Sequence, residues 1–289
     1  QSTQGFLWII RTDPDLNESL KQELIDSLLT VPNAVLVASN DNPEGFRTIH
    51  DITANSVLVG DYEMVKAYHQ AAKTHRLLET RLDADDALST DFCEIIQATS
   101  VEHLQEKWMV WCANNHVEWQ FSSPWDSNSS TGALLGSKTP YCITPGLTWG
   151  YSVGAKCSDI PIRKEHTQIH TMIPECDVEH SSQCLVRLGG NMPLALRART
   201  PTSAGMEHIL LEQTKASFPM EKLQESKWKL SQNELWTALP GIFGVKAKDL
   251  WKLRAEIKDD LPAIVEDALK GQCTRGHSCK SGSREILES

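Results

Sequence analysis

Three carboxylates stand within four residues of the segment Arg81–Asp86. An apolar pair precedes the segment and Ser89–Asp91 follows it as a predicted helix start, so we expect the acids at the end of a strand. In an extended segment Asp83 and Asp85 would lie on one side, about 6.6 Å apart along the backbone, with Asp86 turned away. Two carboxylates on one side suit a Mg²⁺ or Mn²⁺ ion that keeps open positions for substrate phosphates. The pattern therefore predicts a metal-diphosphate site.

Hydrophobic periodicity predicts the elements that would position this segment. Apolar runs at 6–10 and 34–38, and the segment Ser56–Val59, predict strands. Leucines at every fourth position from Leu16 to Leu28 predict a helix that faces a sheet, and another helix is predicted from Asp61. This alternation of strands and helices indicates a right-handed, parallel α/β layer.

Arg11, Thr12 and Asp13 directly follow the first predicted strand. Ligands of open α/β sheets bind beyond the carboxyl ends of the strands, so these residues are candidates for nucleotide binding. Asp15 is predicted only to cap the next helix.

Further polar donors occur in the second half of the chain. His166 and His170 stand four residues apart, so a helix would present both on one face, as metal coordination needs. Two surface histidines would show the same spacing. Arg199 can hold phosphate oxygens bidentately, and Thr200 and Ser203 add hydroxyl donors, although a structural turn would have a similar composition.

The second half also predicts several elements. Residues 108–112 and 116–121 read as two strands of an antiparallel hairpin, turned by the two asparagines between them. Residues 122–149 are rich in loop-forming types, and 148–154 predict a strand that faces an acceptor. Residues 206–289 are predicted to be mostly helical, with a polar tail.

Three separated segments, Arg11–Leu16, Arg81–Asp86 and Arg197–Gly205, together resemble the putative rhamnosyltransferase family. That family belongs to the GT-A-type nucleotide-sugar glycosyltransferases. The resemblance implies an α/β, GT-A-like single domain over 1–205, with a mixed, mostly parallel central sheet flanked by helices. Residues 206–289 would then be a helical C-terminal extension packed on that domain.

The resemblance also implies an activity, the metal-dependent transfer of a sugar from a nucleotide-sugar donor to a carbohydrate hydroxyl of a glycan or glycoconjugate acceptor. The cofactor would be Mn²⁺ or Mg²⁺. The implied donor-binding residues are Arg11, Thr12, Asp13, Arg81, Asp83, Arg199, Thr200 and Ser203. The implied metal ligands are Asp83, Asp85 and Asp86, with His170 or His166 as a later ligand. The donor sugar stays open.

The stereochemistry of transfer decides whether a catalytic base is needed. Inversion requires a group that deprotonates the acceptor hydroxyl, for which Glu165 is the first candidate and Asp177 and His170 are others. Retention requires no such base. Two rival functions are a luminal carbohydrate-binding protein with a calcium site and a sugar nucleotidyltransferase. The latter usually carries a glycine-rich loop with a basic residue after the first strand, which Arg11–Pro14 is not.

Charge and length restrict the partners. The chain has 289 residues and a formal net charge of −10, with no long basic run, which argues against nucleic acid as a partner. No apolar stretch reaches the length of a membrane span, so membrane association is expected only through a segment absent from this chain. A chain that begins at Gln1 predicts a processed form whose signal or anchor was removed.

Eight cysteines and two N-x-S/T sequons, at Asn17 and Asn128, favour the lumen of the secretory pathway, with the Golgi as the expected compartment and the cytoplasm left open. Cys93 and Cys112 are predicted to be buried thiols. The predicted bridges are local in sequence: Cys176–Cys184, Cys273–Cys279 and Cys142–Cys157.

Overall fold

The computed structural model describes residues 6–39, 52–104, 107–120, 133–138, 142–155, 169, 184–188, 192–199, 232–246, 248–249 and 252. The chain forms two compact units. The first contains residues 1–79, 99–110 and 149–186, and the second contains 80–98, 111–148 and 187–289. The predicted boundary at residue 205 stays a prediction, because most of 206–289 lies outside the described residues. Within those residues, no helix is long and apolar enough to cross a membrane.

The first unit begins with the predicted alternation of strands and helices. Its elements are β1 (Trp8–Thr12), α1 (Glu18–Leu28), β2 (Ala34–Ala38), a 3-10 turn (Ala54–Ser56), β3 (Val57–Val59) and α2 (Tyr62–Ala71). Strands β1 and β2 run parallel, with Ile10 opposite Leu36, while β3 runs antiparallel to β2. The predicted β-α-β unit is therefore present, and the third strand reverses direction.

Strand β2 is central because both of its faces are covered. Leu36 packs in one cluster with Leu28 of α1, whereas Val35 and Val37 pack in another with Val65 of α2. Successive side chains of a strand point to opposite faces, so an uninterrupted apolar run is what a strand covered on both sides requires.

The start of α1 differs from the prediction. Asn17 is the N-cap residue, and its side chain accepts a hydrogen bond from the backbone N–H of Ser19. Asp15 does not cap the helix; its own backbone N–H donates to Oδ1 of Asp13 at 2.8 Å. A short polar side chain can close such a local turn as readily as it can cap a helix, which explains the error. Leu20 is half exposed, so the apolar stripe is shorter than predicted.

The remaining elements form two further sheets. They are β4 (Leu77–Arg81), β5 (Ala87–Leu88), α3 (Phe92–His103), β6 (Trp108–Ala113), β7 (Asn115–Gln120), β8 (Ala133–Lys138), β9 (Leu147–Tyr151), β10 (Leu185–Leu188), β11 (Ala195–Arg199) and α4 (Gln232–Phe243). One sheet has the order β10-β6-β9-β4 and the other has the order β5-β11-β7-β8.

Two topological predictions are wrong. Strands β6 and β7 do not form a hairpin, because they belong to different sheets and only Asn114 separates them. One connecting residue cannot make the two-residue reverse turn of a tight hairpin. The sheets are also mixed rather than mostly parallel: β7 pairs in parallel with β11 but antiparallel with β8, and β5 pairs antiparallel with β11. The coarser prediction of a mixed α/β protein is confirmed.

One face of the sheet β5-β11-β7-β8 builds the core of the second unit. Val117 and Trp119 of β7 pack with Leu196 and Ala198 of β11. Helix α4 covers this face with Leu239 and Phe243. Successive side chains of a strand point to opposite faces of the sheet. The residues that alternate with these apolar positions therefore lie on the other face.

The cysteine pairing also differs from the prediction. Cys112 is not a thiol, because it forms a disulfide with Cys142, which therefore does not pair with Cys157. Cys184 is disulfide-bonded to a partner outside the described residues. Cys93 has a free thiol, as predicted, but the residue is exposed, and partial desolvation of the sulfur raises the pKa of the thiol. Bridges between distant positions are invisible to sequence spacing alone.

Candidate functional site

The acidic segment follows β4 as predicted, but it is a turn rather than an extended segment. The backbone N–H of Asp86 donates to the carbonyl oxygen of Asp83 at 3.1 Å. The alternation expected for Asp83 and Asp85 therefore does not apply. We call residues Asp83–Asp86 the acidic turn.

The end of β4 is fixed by a close approach of the backbone. Gly146 donates its N–H to the carbonyl oxygen of Arg81 at 3.0 Å, and its φ of +80° is a conformation that favours glycine. A Cβ at this position would come within 2.8 Å of the ring of Phe92. Residue 146 thus has a structural reason to be glycine, directly beside the strand that leads into the acidic turn.

Arg81 forms an ion pair with the first acid of the turn. Its Nε and Nη2 atoms both lie 3.2 Å from Oδ1 of Asp83. The two side chains are 38% and 39% exposed, so water screens much of this attraction. The predicted donor-binding and metal-binding residues Arg81 and Asp83 thus contact each other.

Asp86 completes the edge of a sheet. Strand β5 pairs with β11 only through Leu88 opposite Ala195 and Ala87 opposite Leu196. Further along β11, the backbone N–H of Ala198 donates to the carboxylate of Asp86, with Oδ1 at 3.1 Å. Asp86 directly precedes β5, and its side-chain oxygen accepts the hydrogen bond that a longer β5 would accept with its backbone. This bond connects the acidic turn to β11.

The surroundings of Asp86 disfavour its charged form. Burial raises the pKa of Asp86 to about 7, and the neighbouring charges of Asp85 and Asp83 raise it as well. The positive charge of Arg197 and the hydrogen bond from Ala198 lower the pKa in part. Around neutral pH this carboxyl group exists in both protonation states.

We expect Asp86→Asn to stabilise the protein at pH 8 and to leave its stability nearly unchanged at pH 4. The folded-state pKa is raised above the ordinary value of 3.8, so the stability of the native protein falls as pH rises from about 4 to about 7. Asparagine keeps the acceptor for Ala198 and removes the charge. After allowance for solvent screening, the gain at pH 8 should be about 2 kcal/mol.

Urea unfolding at pH 4, 6 and 8 would measure this effect. The matched control is Asp249→Asn, which removes an exposed carboxylate of the same unit. A gain that is equal at all three pH values, or that is shared by the control, would contradict the assignment to Asp86.

A row of polar side chains lies on the face of the sheet opposite the α4 core. We call His116, Glu118 and Arg197 the charged ladder. Arg197 stands opposite Glu118 in the parallel register of β11 and β7, and its Nη1 lies 3.6 Å from Oε1 of Glu118. The same oxygen lies 3.3 Å from Nε2 of His116. The carboxylate can only accept, so Nε2 of a neutral His116 carries the proton.

The charged ladder is shielded from water. The side chains of Arg197 and Glu118 are 14% and 13% exposed, and His116 is fully buried. Burying a charge is costly unless it is paired with an opposite charge. The contact between Glu118 and Arg197 therefore offsets the cost of burying both side chains. Since the charge of Arg197 also lowers the pKa of Asp86, the ladder influences the acidic turn electrostatically.

None of these three residues was predicted as a site residue, although Arg197 begins one of the segments of the family resemblance and the sequence of β7 carried a signal. His116, Glu118 and Gln120 alternate with Val117 and Trp119. A period of two places such polar residues together on one face of a strand. What the sequence does not reveal is that β11 is the neighbour that supplies Arg197.

The other predicted site residues stand as follows. Arg11 and Thr12 end β1 in the first unit, and Asp13 follows them, whereas the acidic turn belongs to the second unit. Arg199 is the last residue of β11, with Gln120 opposite. The predicted residues that lie outside the described part of the chain are Glu165, His166, His170, Asp177, Thr200 and Ser203.

Part of the predicted metal site, the acidic turn, lies within the described residues. Among them, no group of three His, Cys, Asp or Glu side chains is arranged to hold a metal ion. Oδ1 of Asp86 accepts from Ala198 and Oδ1 of Asp83 contacts Arg81, but each carboxylate keeps a second oxygen. Asp83, Asp85 and Asp86 therefore all stay candidate metal ligands. Two or three clustered carboxylates fit an ion of the Mg²⁺ or Mn²⁺ type that takes its other ligands from water and phosphate.

The chain matches no protein-family model, no curated protein and no solved structure.

Proposed function

We propose that this chain is a metal-dependent glycosyltransferase that uses a nucleotide-sugar donor and a glycan or glycoconjugate acceptor. The observation that carries the proposal is the hydrogen bond between Asp86 and Ala198, at 3.1 Å. It joins Arg81–Asp86 to Arg197–Gly205, two of the three segments on which the family resemblance rests. Carboxylates and a guanidinium group from distant parts of the chain thereby share one neighbourhood, as recognition of a metal-bound diphosphate requires.

In this proposal Asp83 and Asp85 hold Mn²⁺ or Mg²⁺. The ion supplies Lewis-acid stabilisation of the diphosphate leaving group. Asp86 has a positioning role, because its hydrogen bond fixes the acidic turn against β11. Arg197 adds a positive charge beside the turn, held by Glu118.

Other parts of the proposal rest on sequence alone. Arg11, Thr12 and Asp13 would bind the nucleotide, and Arg199, Thr200 and Ser203 would contact phosphate. His166 or His170 would complete the metal site, and Glu165 or Asp177 would be the base of an inverting reaction. A GT-A-like arrangement of the domain belongs to the same proposal, as does a location in the secretory lumen, which the disulfide between Cys112 and Cys142 supports.

Calorimetric titration with a panel of nucleoside diphosphates, in Mn²⁺ and in chelator, tests the proposal. We expect one nucleotide to bind only when the metal is present, and a double Asp83→Ala, Asp85→Ala variant to lose that binding. The matched control is a double variant of two exposed aspartates that are not part of the acidic turn, Asp26→Ala and Asp249→Ala, which should bind like the native protein.

Failure of every nucleotide to bind to a folded protein would overturn the proposal. Binding of glycans that needs calcium and no nucleotide would instead support a carbohydrate-binding function. Binding that the control variant loses as well would show that the acidic turn has no special role.

A further inference from the structure

Within the described residues, the side chain of Asn17 makes hydrogen bonds through its oxygen and not through its nitrogen. Its Oδ1 accepts hydrogen bonds from the backbone N–H of Ser19 at 2.9 Å and from Oγ of Ser19 at 2.7 Å. These donors identify the oxygen of the amide, so the remaining atom is Nδ2. Within the described residues Nδ2 makes no hydrogen bond, and Asn17, Glu18 and Ser19 are all exposed. The amide nitrogen is thus presented to solvent at the start of α1.

Asn17-Glu18-Ser19 is an N-x-S sequence, the acceptor pattern of N-linked glycosylation. Such patterns arise by chance, so the sequence needs independent support. The disulfide between Cys112 and Cys142 and the bonded state of Cys184 provide it, because disulfides persist in the oxidising compartments in which N-glycans are attached.

We propose that Asn17 carries an N-linked glycan. In the transfer, Nδ2 forms a bond to the anomeric carbon of a lipid-linked oligosaccharide, the bond from that carbon to the diphosphate breaks, and the amide nitrogen loses one proton. The carbonyl oxygen takes no part in the product bond. Oδ1 therefore remains the N-cap acceptor of α1, and the glycosylated helix keeps a cap contribution of about 1 kcal/mol. This inference rests on the secretory location that the proposed function includes, and it does not depend on the glycosyltransferase activity or on the metal site.

The test expresses the full chain in the secretory pathway of a eukaryotic cell, with the other sequon removed by Asn128→Gln. Treatment with peptide N-glycosidase should give a single step in electrophoretic mobility. Mass spectrometry should find Asn17 converted to aspartate by the enzyme. Total protein from cells and medium is analysed, so the result does not depend on secretion.

Three substitutions separate glycosylation from folding. Asn17→Asp removes the acceptor nitrogen but keeps a side chain that caps helices equally well, and Ser19→Ala removes the hydroxyl of the acceptor pattern. Both should abolish the mobility step, whereas Ser19→Thr should retain it. An unmodified Asn17 in the Asn128→Gln protein would overturn the inference. A mobility step that survives Asn17→Asp would place the glycan elsewhere and would overturn it as well.

Discussion

Replacing Cys112 and Cys142 together by alanine is expected to lower the free energy of unfolding by about 3–4 kcal/mol. The bridge spans a sequence separation of 30 residues, and closing a loop of that length removes conformational entropy from the unfolded chain by roughly this amount. Both residues are buried, so the loss of the sulfur atoms from the interior adds to the effect in the same direction.

Urea unfolding followed by tryptophan fluorescence would measure this loss. The matched control is Cys93→Ser, since Cys93 is free and exposed, and its replacement should change stability by less than about 0.5 kcal/mol. Equal stability of the double variant and this control would show that the bridge does not stabilise the native protein.

Glu118→Ala is expected to lower the free energy of unfolding by about 3 kcal/mol. Removing one partner of a buried ion pair leaves the other charge buried without compensation, which is costly. Here the substitution removes the carboxylate that Arg197 and His116 both contact, and these two side chains are 14% and 0% exposed. Glu118→Gln keeps the shape and one acceptor oxygen, so its effect should be smaller.

A double-mutant cycle assigns the effect to the charged ladder. The single substitutions Glu118→Gln and Arg197→Gln and their combination should show a coupling energy of about 1–2 kcal/mol, because the two residues are in contact. Glu94→Ala, at an exposed position of the same unit, serves as the control and should cost less than about 1 kcal/mol. Purely additive single effects would contradict an interaction within the ladder.

Local patterns allowed much of the first unit to be predicted. The apolar runs of β1 and β2, and the leucine spacing of α1, reflect burial against immediate neighbours in the chain. The start of α1 was missed because Asp13 and Asn17, four residues apart, each accept a hydrogen bond from the backbone N–H two residues further on. Sequence periodicity reports which face is buried, but it does not report which of several polar residues closes a turn.

The second unit was predicted less well, because its pairings are distant in sequence. Strand β11 joins β5 and β7, and no local pattern encodes which strands become neighbours. Strand β8 lies within a stretch rich in Ser, Gly and Thr that was predicted as loop. Its pairing with β7 supplies the hydrogen bonds that its own composition does not predict.

In the candidate site, too, the features encoded locally were predicted and those that depend on long-range strand pairing were not. The acidic turn was found because three carboxylates in four residues are visible in the sequence. The polarity of His116 and Glu118 is equally visible, but their meaning depends on Arg197, about 80 residues away and brought alongside by the parallel register. Long-range strand pairing, rather than local composition, decides which polar residues meet.

The hydrogen bond between Asp86 and β11 differs from the other bonds of this sheet in how it responds to amino-acid substitution. Hydrogen bonds between main-chain groups survive almost any change of amino acid, because every residue except proline supplies the same groups. The acceptor at Ala198 is a side-chain carboxylate, so it is lost with most substitutions at position 86. A substitution at position 86 that lacks an acceptor therefore removes this one bond, whereas the pairing of Ala87 and Leu88 with β11 does not depend on the side chain at position 86.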